Sequence, residues 1–169
     1  MIKSKTLLLI IGCLLLAACK TSRTHHNPPP TVPALELAQF AVIDSYGVDS
    51  GIFPNKALHL DPYAYEGMFE IYWDVTPNRN YDFYLSVGPT PNIADSVTFF
   101  DAACGPNQYC GRTGYEVCYY SLDYELVCAN QPGVNVSNWI AEVPQPLYLF
   151  AEVCGPRSCE SRRLGVLAL

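Results

Sequence analysis

The chain predicts an all-β domain. From residue 35 onward it consists of short runs rich in Val, Ile, Phe and Tyr, punctuated by Pro, Gly and Asn, with no helical period longer than two turns. Two runs alternate strictly. Phe69, Ile71, Trp73 and Val75 interleave with Glu70, Tyr72 and Asp74, and Tyr81, Phe83, Leu85 and Val87 interleave with Asp82, Tyr84 and Ser86. Each therefore has one core face and one wet face. Six cysteines in the same region suit a crosslinked, loop-rich β domain.

The first element is not part of that domain. Lys3 and Lys5 precede an apolar stretch, Leu7 to Ala18, that is too short to span a bilayer, and Leu16-Ala17-Ala18-Cys19 closes it. This box resembles the cleavage and lipidation site of bacterial lipoproteins. The resemblance implies that residues 1–18 are a signal peptide and that Cys19 becomes the first mature residue. Cys19 would carry a diacylglyceryl group on its sulfur and an acyl group on its amine, an anchor far more durable than one chain. It further implies the bacterial outer membrane, because in enterobacterial-type sorting Asp after the lipidated Cys retains the protein in the inner membrane, and here Lys20 follows. Periplasmic and surface orientations both remain open.

Removing eighteen of 169 residues leaves 151, enough for one medium domain. The leader takes two of the ten basic residues and none of the sixteen acidic ones, leaving eight against sixteen, a net charge of −8. Such a chain repels nucleic acid and anionic lipid, whose binding requires basic patches.

Residues 19–34 form a tether. Lys20 to Pro33 is polar and proline-rich, with nothing to bury, and fourteen residues in polyproline geometry reach about 40 Å. Adjacent histidines here, His25 and His26, suit solvation better than ligation.

The domain proper occupies residues 35–169. Its expected strands are Leu35–Ile43, Met68–Val75, Tyr81–Val87, Ser96–Ala103, Tyr115–Tyr120, Glu125–Ala129, Trp139–Val143, Leu147–Val153 and Arg163–Ala168. Between Tyr46 and Gly67, prolines and glycines indicate an irregular excursion with one short edge strand near Ala57–Leu60. The pair flanking Thr76-Pro77-Asn78-Arg79-Asn80 reads as a hairpin. Symmetry about Asn78 would set Trp73 against Phe83 inside, Tyr72 against Tyr84 outside, and Asp74 against Asp82.

With Cys13 in the leader and Cys19 lipidated, Cys104, Cys110, Cys118, Cys128, Cys154 and Cys159 remain. Of fifteen possible pairings, hairpin geometry favours the three sequential ones. Cys118 and Cys128 lie symmetrically about Asp123, and Cys104-Gly105-Pro106 and Cys154-Gly155-Pro156 repeat one device, a strand end followed by a turn and a second Cys. The bridges are expected to rigidify loops more than to hold the layers together. Without paired C-x-x-C knuckles, the spacing does not suit zinc, and no metal or cofactor is expected.

Ile71-x-Trp73, a Pro-bearing turn and Tyr81-x-Phe83-x-Leu85 resemble the second and third strands of a fibronectin type III-like domain. Val143-Pro144-Gln145-Pro146-Leu147-Tyr148-Leu149-Phe150-Ala151 resembles that family's approach to its sixth strand, with Leu164–Ala168 as the seventh. The resemblance covers about half the mature chain and implies a single antiparallel, immunoglobulin-like β-sandwich with disulfide-clipped loops. The cysteine-bearing segment from Ala102 to Gln131 is an elaboration on the family pattern. A small closed barrel is the alternative.

Catalytic signatures are missing from the sequence: there is no G-x-S-x-G elbow, H-E-x-x-H helix, phosphate-cradling glycine loop, EF-hand series or C-x-x-C pair. Outside the tether the only histidine is His59, in His59-Leu60-Asp61, and a lone strand-edge histidine suits a structural role. Paired carboxylates for glycoside hydrolysis leave no mark in one sequence, since any two acids can converge. Two binding candidates stand out. One is the wet face of Glu70, Tyr72, Asp74, Asp82 and Tyr84, where opposed aspartates invite a cation or a basic partner. The other is the clipped loops carrying Tyr109 and Arg157, where crosslinking has already removed ordering entropy. The expected function is that of a non-enzymatic, lipid-anchored envelope module that binds another protein through loops or an edge strand. A carbohydrate-binding surface lipoprotein is the alternative.

Overall fold

The computed structural model describes residues 32–140 and 146–169. The leader, Cys19, most of the tether with His25 and His26, and residues 141–145 lie outside the described residues.

The alternating runs become strands because extended backbone sends successive side chains to opposite faces. Among the described residues ten strands form: β1 (Glu36–Ile43), β2 (Leu58–Leu60), β3 (Met68–Thr76), β4 (Tyr81–Gly88), β5 (Val97–Cys104), β6 (Thr113–Tyr120), β7 (Glu125–Cys128), β8 (Val134–Asn135), β9 (Pro146–Cys154) and β10 (Cys159–Ala168). They make two five-stranded sheets, ordered β1-β3-β6-β7-β8 and β2-β10-β9-β4-β5. A single core that includes Leu37, Ile71, Trp73, Phe83, Leu85, Leu126, Leu149 and Val153 draws from both sheets. No ladder joins the two sheets among the described residues, so the layers stay separate rather than closing into a barrel. The pairing is antiparallel except where β2 lies parallel to the end of β10, Leu58 opposite Val166.

The expected hairpin around Asn78 does not form. β3 lies between β1 and β6 in the first sheet, and β4 between β9 and β5 in the second, so the turn through the cis Thr76–Pro77 bond crosses from one layer to the other. Alternation specifies a buried face but not the neighbour on either side, and five residues suffice to bridge layers about 10 Å apart. Trp73 and Phe83 do meet inside, but face to face across the layers, with ring centroids 3.8 Å apart and planes 6° apart. The Trp73 indole N–H donates to the Tyr81 hydroxyl at 3.1 Å, which donates to the Gly111 carbonyl at 3.0 Å. Gly114 makes room for the indole, since a Cβ there would overlap its six-membered ring.

Trp139 does not open a strand. Ser137–Ile140 form one helical turn, because the Asn135 carboxamide oxygen accepts the Ser137 N–H at 3.0 Å and caps it. The disulfides are Cys104–Cys110, Cys118–Cys128 and Cys154–Cys159. Cys118 and Cys128 are directly opposed on β6 and β7 and fully buried in the core. That bridge joins strands inside the core and is not a loop clip.

Candidate functional site

The wet-face candidates separate once the layers are assigned. Glu70, Tyr72 and Asp74 point outward from β3, while Asp82 and Tyr84 point outward from β4 on the opposite surface. Neither Tyr72 with Tyr84 nor Asp74 with Asp82 forms a pair. Asp74 is instead gripped by Arg112, whose Nε and Nη2 each donate at 2.7 Å, and the guanidinium holds the carboxyl below its usual range. Tyr72 donates to Asp49 at 2.7 Å; partial burial, then the Asp49 acceptor, push its phenol up to about 12. The opposition of Asp74 and Asp82 that would have invited a cation does not arise.

The clipped-loop candidates do come together. Cys104–Cys110 and Cys154–Cys159 flank one pole, where a cleft of about 340 Å³ is lined by Asn80, Tyr81, Asp82, Gln108, Gly155 and Pro156 among others. Gly105 has φ +120° and sits against Asn80, whose Cα a Cβ would approach at 2.6 Å. Tyr109 is exposed, and its hydroxyl donates to the Glu116 carboxylate at 3.0 Å. Arg157 is exposed on the same pole, outside the cleft lining. The chain enters the domain here too, since a Cβ on Gly155 would meet Leu35 at 2.8 Å. Glu152, Cys154 and Cys159 group their possible metal-ligand atoms, but the two sulfurs are bonded to each other and offer no thiolate.

Edge strands are partly occupied. The backbone of Asp101 on β5 is met at both ends by one glutamine amide: its N–H donates to Gln131 Oε1 at 2.9 Å, and Gln131 Nε2 donates to its carbonyl at 2.6 Å. At Asp101 a side chain thus occupies the place of a neighbouring strand.

The opposite pole carries a site the sequence did not reveal. Tyr46, Tyr63 and Tyr65 rise from the irregular segment between β1 and β3, and Tyr119 and Tyr124 stand where β6 turns into β7. All five are exposed, Tyr63 by 83% and Tyr65 by 75%. Buried Asp44 organises the segment. Its Oδ1 accepts the N–H groups of Tyr46 at 2.9 Å and Val48 at 2.8 Å, and its Oδ2 accepts that of His59 at 2.8 Å. Asp61 accepts the Tyr46 hydroxyl and, at 2.9 Å, the Tyr63 N–H; the Tyr46 phenol holds its carboxyl below the usual range. His59 meets the Tyr46 ring edge-on at 6.2 Å.

Tyr65, Glu66 and Gly67 follow one another with φ of +49°, +59° and +77°, a left-handed turn that costs L-residues about 1–2 kcal/mol each. Gly67 is required there, because a Cβ would overlap the Tyr120 carbonyl. The turn holds Tyr65 at the mouth of a notch of about 170 Å³ lined by Asp44, Tyr46, Tyr65, Met68, Phe69 and Glu70 among others. Aromatic walls, an acidic rim and a pre-ordered backbone suit recognition of a guest group. The one advance signal was tyrosine density in a segment with no strand alternation to account for it. Compared with known proteins, the chain matches no family model, no curated protein and no solved structure.

Proposed function

We propose that this protein is a lipid-anchored module of the bacterial outer membrane that binds another envelope or surface protein through its tyrosine-rich pole. The carrying observation is that five exposed tyrosines gather at the end of the domain opposite the one where the chain enters. Tyrosine supplies large amphipathic contact area at a cost of only two side-chain torsions, which is why binding surfaces concentrate it. With Cys19 lipidated and residues 19–34 as a tether, the anchor raises the local concentration of this pole beside envelope partners. The β5 edge, occupied at Asp101, argues for the pole over strand addition. This reading gives the protein no catalytic role and no cofactor.

The strand order supports a fibronectin type III-like sandwich. β1, β3 and β6 follow the order A-B-E, and β10, β9, β4 and β5 follow G-F-C-C′. On this correspondence β7 and β8 are additions to the first sheet, and β2 is an addition to the edge of the second.

A carbohydrate partner is the second reading, favoured by the notch between tyrosines. A photoreactive residue at Tyr63, with one at Arg157 as the control, discriminates the two in intact cells. Crosslinks from Tyr63 to a discrete protein support the proposal, crosslinks to glycan support the second reading, and equal capture from both positions contradicts a specific pole.

A further inference from the structure

The notch at the tyrosine pole has a chemistry of its own. Its lining residues include the aromatic Tyr46 and Tyr65 and the apolar Met68 together with the acidic Asp44 and Glu70. These carboxylates are differently engaged. Asp44 accepts three backbone N–H groups in the interior, so its charge acts at a distance. Glu70 lies partly exposed on β3 and accepts a hydrogen bond from the Tyr115 hydroxyl, but no ion pair among the described residues engages it, and it is the group a guest can meet.

The surroundings are one-signed. Residues 44–70 carry five carboxylates, Asp44, Asp49, Asp61, Glu66 and Glu70, against Lys56 alone, and the Lys56 ammonium is occupied 4.5 Å above the Phe53 ring. His59 is turned against Tyr46. Three of the described arginines are engaged elsewhere: Arg112 is paired with Asp74, Arg163 donates to the Pro91 carbonyl, and Arg162 reaches the Ala38 carbonyl. Among the described residues, no basic side chain lines the notch.

Electron-rich rings beside an uncompensated carboxylate attract an organic cation and reject an anion, because ring quadrupole and charge act in the same direction. The space is small, about 170 Å³, which favours a compact charged head over the broad plane of a guanidinium. That matches the compact charge and apolar stem of a primary ammonium. We infer that the Tyr46–Tyr65–Glu70 notch is a receptor for an aliphatic ammonium group, a lysine side chain presented by the protein partner. This rests on the reading that the tyrosine pole is the binding face.

n-Butylammonium chloride serves as the probe, titrated into the full-length oxidised protein and followed by amide NMR, with n-butanol as the neutral match. The ammonium is expected to produce saturable shifts confined to Tyr46 and residues 65–70. These shifts should weaken at least tenfold in Glu70→Gln and in Tyr65→Ala, and weaken as salt rises, while butanol produces none. Equal shifts from butanol, or affinity unchanged in both variants with amide dispersion retained, overturn the inference. That failure leaves crosslinking from Tyr63 unaffected, whereas loss of crosslinking with ammonium binding intact counts against the partner instead.

Discussion

Removal of the fully buried Cys118–Cys128 bridge, by Cys118→Ala with Cys128→Ala, should destabilise the domain more than removal of the partly exposed Cys154–Cys159 bridge. The chain-entropy model separates the three only slightly. Cysteines 10 residues apart, against 6 and 5 for the others, give about 2.8 kcal/mol against about 2.3 and about 2.2 at 25 °C. Burial widens the gap. Cys118 and Cys128 are both wholly inaccessible in the core, so truncating both sulfurs adds transfer and cavity terms of about 1–2 kcal/mol, whereas Cys159 is exposed and its neighbour half-buried. The expected totals are about 4 kcal/mol for the buried pair and about 2 kcal/mol for Cys154→Ala with Cys159→Ala. Urea denaturation of the purified oxidised proteins, analysed with a common m-value, reads the difference. If the exposed pair costs as much as the buried one, the assignment of Cys118–Cys128 as a core element is refuted.

Other perturbations probe the interior and its charges. Gly114→Ala forces a methyl into the Trp73 ring and should cost about 1–3 kcal/mol while changing near-ultraviolet dichroism; a loss below about 0.5 kcal/mol contradicts the indole stack. Tyr120 is fully buried, and its hydroxyl has no hydrogen-bond partner among the described residues. Tyr120→Phe should therefore leave stability unchanged or raise it by about 1 kcal/mol, and a clear loss by thermal denaturation would reveal a partner. Tyr72 and Tyr120 are each raised from 10.0 to about 12, chiefly by burial. The folded state thus keeps protons that the unfolded chain releases, and the stability they confer is complete below pH 10 and lost as pH rises from 10 through about 12. A urea midpoint that stays flat across that interval contradicts the burial of both phenols.

Alternation made β3 and β4 legible to within a residue or two, and the symmetric placement of Cys118 and Cys128 about Asp123 made their bridge legible. What alternation cannot convey is which strand lies alongside, because a core face looks the same whichever layer it belongs to. The five residues from Thr76 to Asn80 fit a hairpin as well as a crossing, so the pattern pairs Asp74 with Asp82, whereas its partner is Arg112, 38 residues on. Trp139 has strand propensity, but a local Asn135 cap outweighs it. The clipped loops were found as a set because each carries its own marker, a Cys-Gly-Pro end. The tyrosine pole was not. Tyr46, Tyr63 and Tyr65 share no period, and what gathers them is a pair of aspartates, Asp44 and Asp61, whose carboxylates accept backbone N–H and phenol O–H donors up to 15 residues away.

The most direct test of the central claim is quantitative mass spectrometry of proteins crosslinked in intact cells to the wild-type chain, to Tyr63→Ala with Tyr65→Ala, and to Asp82→Asn with Tyr109→Phe at the other pole. The account predicts one stoichiometric protein partner, retained by the Asp82 and Tyr109 variant and depleted at least tenfold by the Tyr63 and Tyr65 variant at equal expression. Undiminished recovery in the tyrosine-pole variant, or depletion only in the clipped-loop variant, would contradict it.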